Sequence, residues 1–190
     1  MPPTASPPDT RHALLRAAIR RFATFPYGDV TIRDIAADAD VSAPLVMKYF
    51  GSKEQLFLAV ADFVGDFTAF LDAPDGDLAR HLVTRVMTLE AEPDSINPFA
   101  AMLFLASGRD TPPAGRDRLR SRFIAPLAAR LEGEDRELRA ELVCAELVGL
   151  SALLRALKSP GVAAAPPDRI VELVTPAIEQ HLRPPADRAG

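Results

Sequence analysis

Two helix starts only ten residues apart, at Ser42 and Ser52, place the strongest constraint on how this chain of 190 residues folds. Pro44 follows the first start and Gln55 follows the second, and both are residues that favour the first turn of a helix. The helix between the two starts therefore has room for only about eight residues. A helix of that length is unstable alone, so it must be supported by the helices that flank it.

The segment before the short helix has the pattern of two further helices. Apolar residues fall on one helical face at Leu14, Leu15, Ala18, Ile19 and Phe22. The stretch "FPYGD" ends this helix, and Thr31 with Asp34 forms a capping box that opens a second short helix through about Asp38. Two short helices joined by the tight turn "ADADV", and braced by a preceding amphipathic helix, predict a helix-turn-helix.

The remainder of the chain is also predicted to be helical. After the helix that starts at Ser52, the apolar spacing predicts helices at about 75–92, 98–108, 116–131, 134–158 and 167–182. Pro126 and Pro176 lie inside two of these segments, and we expect kinks or early ends there because proline removes a backbone donor. No stretch sustains strand alternation. The predicted fold class is all-α, a three-helix DNA-binding domain followed by a helical bundle, with about nine helices in all.

Charge and hydropathy narrow the classes of partner. The chain has 22 basic and 26 acidic residues, which argues against a protein that coats nucleic acid indiscriminately. Residues 1–60 hold seven of the basic and six of the acidic residues, so only this part is neutral enough to approach a polyanion. The sequence has neither a membrane-spanning apolar run nor a signal peptide, and we expect a cytoplasmic protein.

The sequence offers no set of residues for catalysis, metal binding or a cofactor. Cys144 is the single cysteine, and the three histidines are scattered. The carboxylates of "EGEDRELRAE", from Glu132, alternate with arginines at helical spacing, which is typical of a solvated helix face. We therefore expect no metal, no cofactor and no enzymatic activity.

Three stretches, "LLRAAIRRFA", "TIRDIAADADVS" and "KYFGSKEQLF", resemble the DNA-binding region of the tetracycline-repressor (TetR) family in order and spacing. The segment from "ELVGLSALLRAL" to "AIEQHL" also resembles the C-terminal end of one TetR subgroup common in actinobacteria. The resemblance implies a DNA-binding domain with its N-terminal arm at residues 1–52 and a ligand-binding and dimerisation domain at residues 53–190.

The resemblance also implies which residues meet double-stranded DNA. They are Thr31, Arg33, Ser42, Ala43, Pro44, Leu45, Met47, Lys48, Tyr49 and Lys53. Ser42 caps the recognition helix, residues 43, 44 and 48 approach base edges, and residues 45, 47, 49 and 53 follow the backbone. Thr31 would reach a phosphate, and Arg33 a base or a phosphate. One lysine beside small apolar residues leaves few hydrogen bonds to bases, so thymine methyl groups and DNA shape would carry more of the specificity.

Two positions depart from the family pattern. Asp40 stands where a turn glycine is usual, although aspartate tolerates the left-handed conformation better than most residues. Met47 stands where a tyrosine that contacts phosphate is frequent, so one backbone hydrogen bond is missing or is made by Tyr49.

Several of the DNA-binding residues have a simpler explanation. Ser42 and Ser52 are helix caps whether or not they also meet DNA, and Lys48 and Tyr49 could lie on an ordinary solvated face. Asp29 or Asp34 could hold Arg33 instead of DNA. Lys53 is a different case, because the helix dipole disfavours a cation at a helix N-terminus and a negative partner is therefore expected nearby. We interpret that partner as a DNA phosphate.

Two groups of apolar residues have candidate roles in the second domain. A ligand cavity, which the resemblance implies, would draw on Phe63, Phe67, Met87, Phe99, Met102 and Phe123, although each could be core. The helices at 134–158 and 167–182 each have two apolar sides, which predicts a four-helix bundle across a two-fold axis. The interface would include Ala145, Gly149, Ala152, Ala156, Ile170, Val174, Ala177 and Ile178. Burial of both helices inside one protomer is the alternative.

The resulting hypothesis is a homodimeric transcriptional regulator, most simply a repressor, that a small-molecule effector releases from a palindromic operator. The fourth helix, which begins beside the helix-turn-helix, would transmit effector binding to the recognition helices. Two alternatives stay open. One is a helical small-molecule binding protein whose helix-turn-helix is scaffold, and the other is an architectural DNA-binding protein without a ligand response.

Overall fold

The computed structural model describes residues 7–64, 67–91, 97–101, 112, 117–118 and 120–184, and every regular element among them is helical. This confirms the predicted all-α class. The α-helices are α1 (Pro7–Thr24), α2 (Ile32–Asp38), α3 (Ala43–Phe50), α4 (Lys53–Val64), α5 (Thr68–Leu71), α6 (Leu78–Ala91), α7 (Ala125–Arg130), α8 (Arg136–Ser151), α9 (Pro160–Ala164) and α10 (Pro167–Leu182). Residues 98–101 form one further helical turn.

The chain divides into two units, and the first comprises residues 1–64 with 101–118. In this unit α1 packs on α2 and α4, and α3 packs on α2 and α4. The apolar faces predicted from the sequence are buried there, with Leu14, Leu15, Phe22, Ile35, Val46, Leu56, Phe57 and Val60 in the core. Because α4 packs on α1, it belongs to the first unit, while the proposed functional boundary after residue 52 stays a prediction.

The second unit comprises residues 65–100 with 119–190. Here α10 packs on α6 and on α8, and α8 also contacts α6 and α7. Its core contains Leu82, Val86, Phe99, Phe123, Leu127, Val143, Leu147 and Ile178. None of the helices in the described ranges is both long and apolar enough to cross a membrane.

The two internal prolines have different outcomes. A π-helical segment, Arg120–Ile124, ends just before Pro126, and α7 starts there with the proline in its first turn, so the predicted interruption is confirmed. In contrast, α10 continues through Pro176 to Leu182, so the expected early end is wrong. Packing of its buried face against α6 and α8 outweighs the one backbone hydrogen bond that proline removes.

The predicted helix at 134–158 is also modified. Regular α8 ends at Ser151 and a π-helical segment, Ala152–Ala156, follows it. The alanine-rich stretch after it, predicted to be low-complexity sequence, contains α9, which has Pro160 in its first turn.

Candidate nucleic-acid interface

The first helix of the helix-turn-helix begins with the predicted capping box. The Asp34 backbone N–H donates to the Thr31 hydroxyl at 3.2 Å, and the Thr31 backbone N–H donates to the Asp34 carboxylate at 2.9 Å. The Thr31 hydroxyl also donates to that carboxylate at 2.6 Å, and this bond holds the pKa of Asp34 below its ordinary value. Thr31 is therefore engaged with α2, and only its acceptor side remains for other partners.

The turn between α2 and α3 is a Schellman motif. The Val41 N–H donates to the Ala36 carbonyl at 3.0 Å and the Asp40 N–H to the Ala37 carbonyl at 3.2 Å. Asp40 adopts the left-handed conformation with φ of 52°, which confirms that aspartate fills the glycine position of this turn. The turn thus fixes the direction in which α3 leaves α2.

Helix α3 presents one face to solvent and buries the other, as predicted. Val46 and Phe50 are buried against the first unit's core. The exposed residues are Ser42, Pro44, Met47 and Lys48, and the half-buried ones are Ala43, Leu45 and Tyr49. All seven residues predicted to meet DNA on this helix are therefore at least partly accessible. Lys48 is the only lysine or arginine on α3.

Ser42 occupies the N-cap position of α3, but it is not the side-chain cap that the sequence predicted. Its backbone is extended, with φ of −82° and ψ of 145°, and its hydroxyl makes no capping hydrogen bond. Pro44 lies in the first turn, where its missing N–H removes one of the donors that a cap would serve. Ser52 does cap, because the Gln55 N–H donates to its hydroxyl at 3.0 Å.

Arg33, the predicted contact on α2, is exposed. The Asp34 carboxylate, one of the two acidic groups considered for holding Arg33, accepts both bonds from Thr31 instead. No ion pair of Arg33 occurs within the described ranges, so its guanidinium extends into solvent beside the helix-turn-helix.

An ion pair that the sequence analysis missed ties α2 to α1. The Arg21 guanidinium donates to both carboxylate oxygens of Asp38, at 2.5 and 2.7 Å. This hydrogen bonding holds the pKa of Asp38 below its ordinary value and raises that of Arg21. The partners lie 17 residues apart, so no helical spacing indicates the pair. It orients the end of α2 from which the turn into α3 departs.

Lys53 has its negative partner inside the protein, which corrects our interpretation that a DNA phosphate supplies it. Its ammonium donates to the carbonyls of Tyr27 and Val30 at 2.7 and 2.8 Å, and a weaker contact reaches the Gly28 carbonyl at 3.4 Å. The same atom lies 4.3 Å from the centre of the Tyr27 ring. The dipole argument rightly predicted a negative partner, but the sequence could not show that loop carbonyls provide it.

The residues predicted to line a ligand cavity do not come together as one lining. Phe67, Phe99 and Phe123 are fully buried in the second unit and pack ring on ring at 5.0–5.1 Å. Phe70, which the sequence analysis did not single out for this role, completes the cluster. These four rings fill space as a closed core, which corrects the expectation of an open aromatic lining.

The other predicted cavity residues lie elsewhere. Phe63 is half-buried in the first unit and contacts the His12 ring at 5.5 Å. Met87 is buried on α6 in the second unit. Met102 lies outside the described residues. A ligand cavity formed by this set stays a prediction.

The predicted dimerisation residues separate into exposed and buried groups. Ala145, Gly149, Ala156 and Ala177 are exposed, and Ala152 and Val174 are half-buried. Ile178 is fully buried and Ile170 nearly so, which corrects their assignment to an interface. Helices with two apolar sides do not reveal which side faces the protomer's own core, and here α10 packs this side on α6 and α8.

Comparison with known proteins gives the family context. A family model described as "Tetracyclin repressor-like, C-terminal domain" matches residues 76–182, more than half of the chain. A second, described as "Bacterial regulatory proteins, tetR family", matches residues 14–60 and so includes α2, α3 and the turn between them.

Curated relatives and solved structures agree with these matches. The regulator BetI of Agrobacterium fabrum is 33% identical over 111 residues, which cover 56% of this chain and about half, 53%, of that protein. BetI of Rhizobium meliloti is 29% identical over 201 residues, 98% of this chain and 96% of that protein. A TetR-family regulator of Streptomyces coelicolor has a similar fold, with a TM-score of 0.63, 24% identity and coverage of 94% and 97%.

Proposed function

This chain belongs to the tetracycline-repressor family of DNA-binding transcriptional regulators, and we propose that it is a homodimeric repressor which a small-molecule effector releases from a palindromic operator. As a member of this family it is a regulator and not an enzyme. The single observation that carries the proposal is the form of α3, a short helix anchored by two buried apolar residues with its opposite face exposed. Its place of action would be the cytoplasm, where the operator is.

We assign direct reading of bases to α3. Lys48 is its only cation and would donate to a base edge, while Pro44 and Ala43 approach thymine methyl groups. The free hydroxyl of Ser42 and the side chains of Leu45, Met47 and Tyr49 would follow the sugar-phosphate backbone. Arg33 would reach a phosphate or a base from α2, and Thr31 retains acceptor capacity only towards water or DNA hydroxyl donors.

The test is selection of an operator from a random duplex pool, followed by fluorescence anisotropy with that duplex and a shuffled one. Lys48→Ala should weaken operator binding about 5- to 150-fold, because one good base contact contributes about 1–3 kcal/mol. Arg80→Ala is the matched control, since it removes an exposed cation from α6 and should leave affinity unchanged.

Two results of that test would contradict the proposal. Weak binding with no preference for any duplex would favour an architectural DNA-binding protein. No binding to DNA at all would favour a helical small-molecule binding protein in which the helix-turn-helix is scaffold.

The proposed dimer rests on an unpartnered apolar face. Large apolar side chains are exposed on both α8 and α10, where Leu138 is 53% and Leu173 61% accessible. Small residues accompany them at Ala145, Gly149 and Ala177. Such a face on two neighbouring helices supports pairing with its own copy across a two-fold axis. Two recognition helices about one DNA turn apart would then read a palindrome.

Gly149→Leu tests the dimer without damaging the protomer. A Cβ at Gly149 meets no atom within 4 Å, and leucine is a better helix former than glycine. The variant should therefore keep or gain protomer stability while dissociating more readily in sedimentation experiments. Gly76→Leu, also with open space around its Cβ, is the control. Unchanged dimerisation of Gly149→Leu would place the interface elsewhere.

Ligand response is the third part of the proposal. The matched C-terminal family domain and the aromatic-rich core of the second unit support an apolar effector. An effector weakens operator binding only if it binds the two conformations with different affinity, and the operator must then weaken effector binding by the same factor. A compound that binds the protein but leaves its operator affinity unchanged is not its effector, and a failure of every bound compound would contradict this part.

A further inference from the structure

We propose that Lys53 is a positioning residue for DNA binding, which fixes the helix-turn-helix from its outer ends and makes no contact with the operator. The two short helices are already joined at their inner ends by the Schellman turn. Their outer ends are the loop before α2 and the residues after α3. Lys53 is the first residue of α4, and its ammonium binds that loop.

The carbonyls that receive the ammonium belong to residues directly ahead of α2. Val30, which accepts one bond, immediately precedes the Thr31 cap, and Tyr27 accepts the other. The Gly51 residue that ends α3 lies two positions before Lys53. The bond thus closes a loop that contains both α2 and α3, so neither helix can change its angle to the other without breaking it.

The loop is itself anchored to the core through the Tyr27 ring. This ring contacts Phe22 of α1 at 5.7 Å and Phe57 of α4 at 5.1 Å, and the Lys53 ammonium lies over its face at 4.3 Å. Burial raises the pKa of Tyr27, and the charge of Glu54 adds to this effect. The ammonium is therefore bound to the two carbonyls and to an aromatic face that cannot move away.

A phosphate contact would compete with this arrangement. An ammonium has three donors, and here two make short bonds to carbonyls while a third carbonyl lies within 3.4 Å. Turning towards DNA would leave the Tyr27 and Val30 carbonyls, which are in partly buried bonds, without this donor. The geometry favours retention of the internal bonds when DNA binds.

Lys53→Met and Lys48→Met remove the same charge from two lysines five residues apart. The first should lower the unfolding temperature of the free protein by about 2–8 °C, and the second should leave it unchanged. A lysine that served only a phosphate would behave in the opposite way at position 53, because removing a cation from a helix N-terminus stabilises the helix.

Binding experiments well below the unfolding temperature separate positioning from charge. With the selected operator duplex, Lys53→Met should lose roughly tenfold in affinity and part of its preference over shuffled DNA, which a mere loss of stability would not change. The slope of log affinity against log salt should equal that of the wild type. A slope reduced by about 0.9, the value for one lost phosphate contact, together with an unchanged unfolding temperature, would overturn the proposal.

The wild-type protein provides a measurement that does not depend on how a variant folds. With a water-soluble amine-acylating reagent and mass spectrometry, Lys53 should react more slowly than exposed Lys48 in the absence of DNA. Equal rates would show that the internal bonds are absent in solution. The consequence for operator affinity rests on the proposed function, whereas acylation and thermal unfolding test the Lys53 bonds even if selection yields no operator.

Discussion

Replacement of Phe99 by alanine should destabilise the second unit more than any exposed substitution. Phe99 is fully buried and contacts the rings of Phe67, Phe70 and Phe123 at 5.1, 5.0 and 5.0 Å. The alanine variant should lose about 3–5 kcal/mol of unfolding free energy. Phe99→Leu retains most of the apolar volume but loses two edge-to-face pairs of about 0.5–1.5 kcal/mol each, so we expect a loss of about 1–3 kcal/mol.

Urea unfolding followed by far-ultraviolet circular dichroism measures both losses. The two units can unfold in separate transitions, so each transition is fitted on its own, at one protein concentration throughout. Phe25→Ala is the matched control, because this ring is 45% exposed and its only described ring contact is a cation–π contact with Arg21. The control should lose no more than about 1 kcal/mol. A loss below about 1 kcal/mol for Phe99→Ala would refute the closed packing of the four rings.

Three further predictions concern single groups. Burial raises the pKa of the Cys144 thiol to about 12, so native protein at pH 8 should resist alkylation that proceeds once the protein is denatured. The pKa of Asp38 is lowered from 3.8 in the folded state, so its ion pair with Arg21 stabilises the first unit above about pH 4 and the stabilisation disappears as the pH falls through the folded pKa; Asp38→Asn should flatten acid unfolding in that range. Thr31→Ala removes one side of a capping box and should lower the unfolding free energy by about 1 kcal/mol in thermal melts, whereas Thr31→Ser should restore it.

Local signals in the sequence predicted the helix-turn-helix well. The cap at Thr31, the left-handed Asp40 and the buried Val46 and Phe50 each follow from residues within one or two helical turns. Local chemistry decides such features, since a cap or a tight turn is completed by its immediate neighbours. The same rule overestimated Ser42, because its position was correct and its hydroxyl bond was not.

Features that depend on distant partners could not be predicted from the sequence. The carbonyls that bind Lys53 come from residues 23 to 26 positions earlier, and backbone carbonyls carry no sequence signal. Ile178 was assigned to an interface because apolar spacing defines two faces of α10 but not their partners. Phe67, Phe99 and Phe123 were correctly identified as apolar and helical, but composition cannot distinguish rings that line a cavity from rings that fill one.

The division of α3 into a buried and an exposed face has a consequence for engineering. The side chains that hold the helix in place, Val46 and Phe50, are distinct from those that face outward, such as Met47 and Lys48. Turn, ion pair and Lys53 bonds also lie outside the exposed positions. Randomising the outward positions of α3 would therefore produce a library in which operator preference changes while the scaffold stays constant. Over evolutionary time, the same separation would let related repressors acquire new operators without first having to restore a damaged fold.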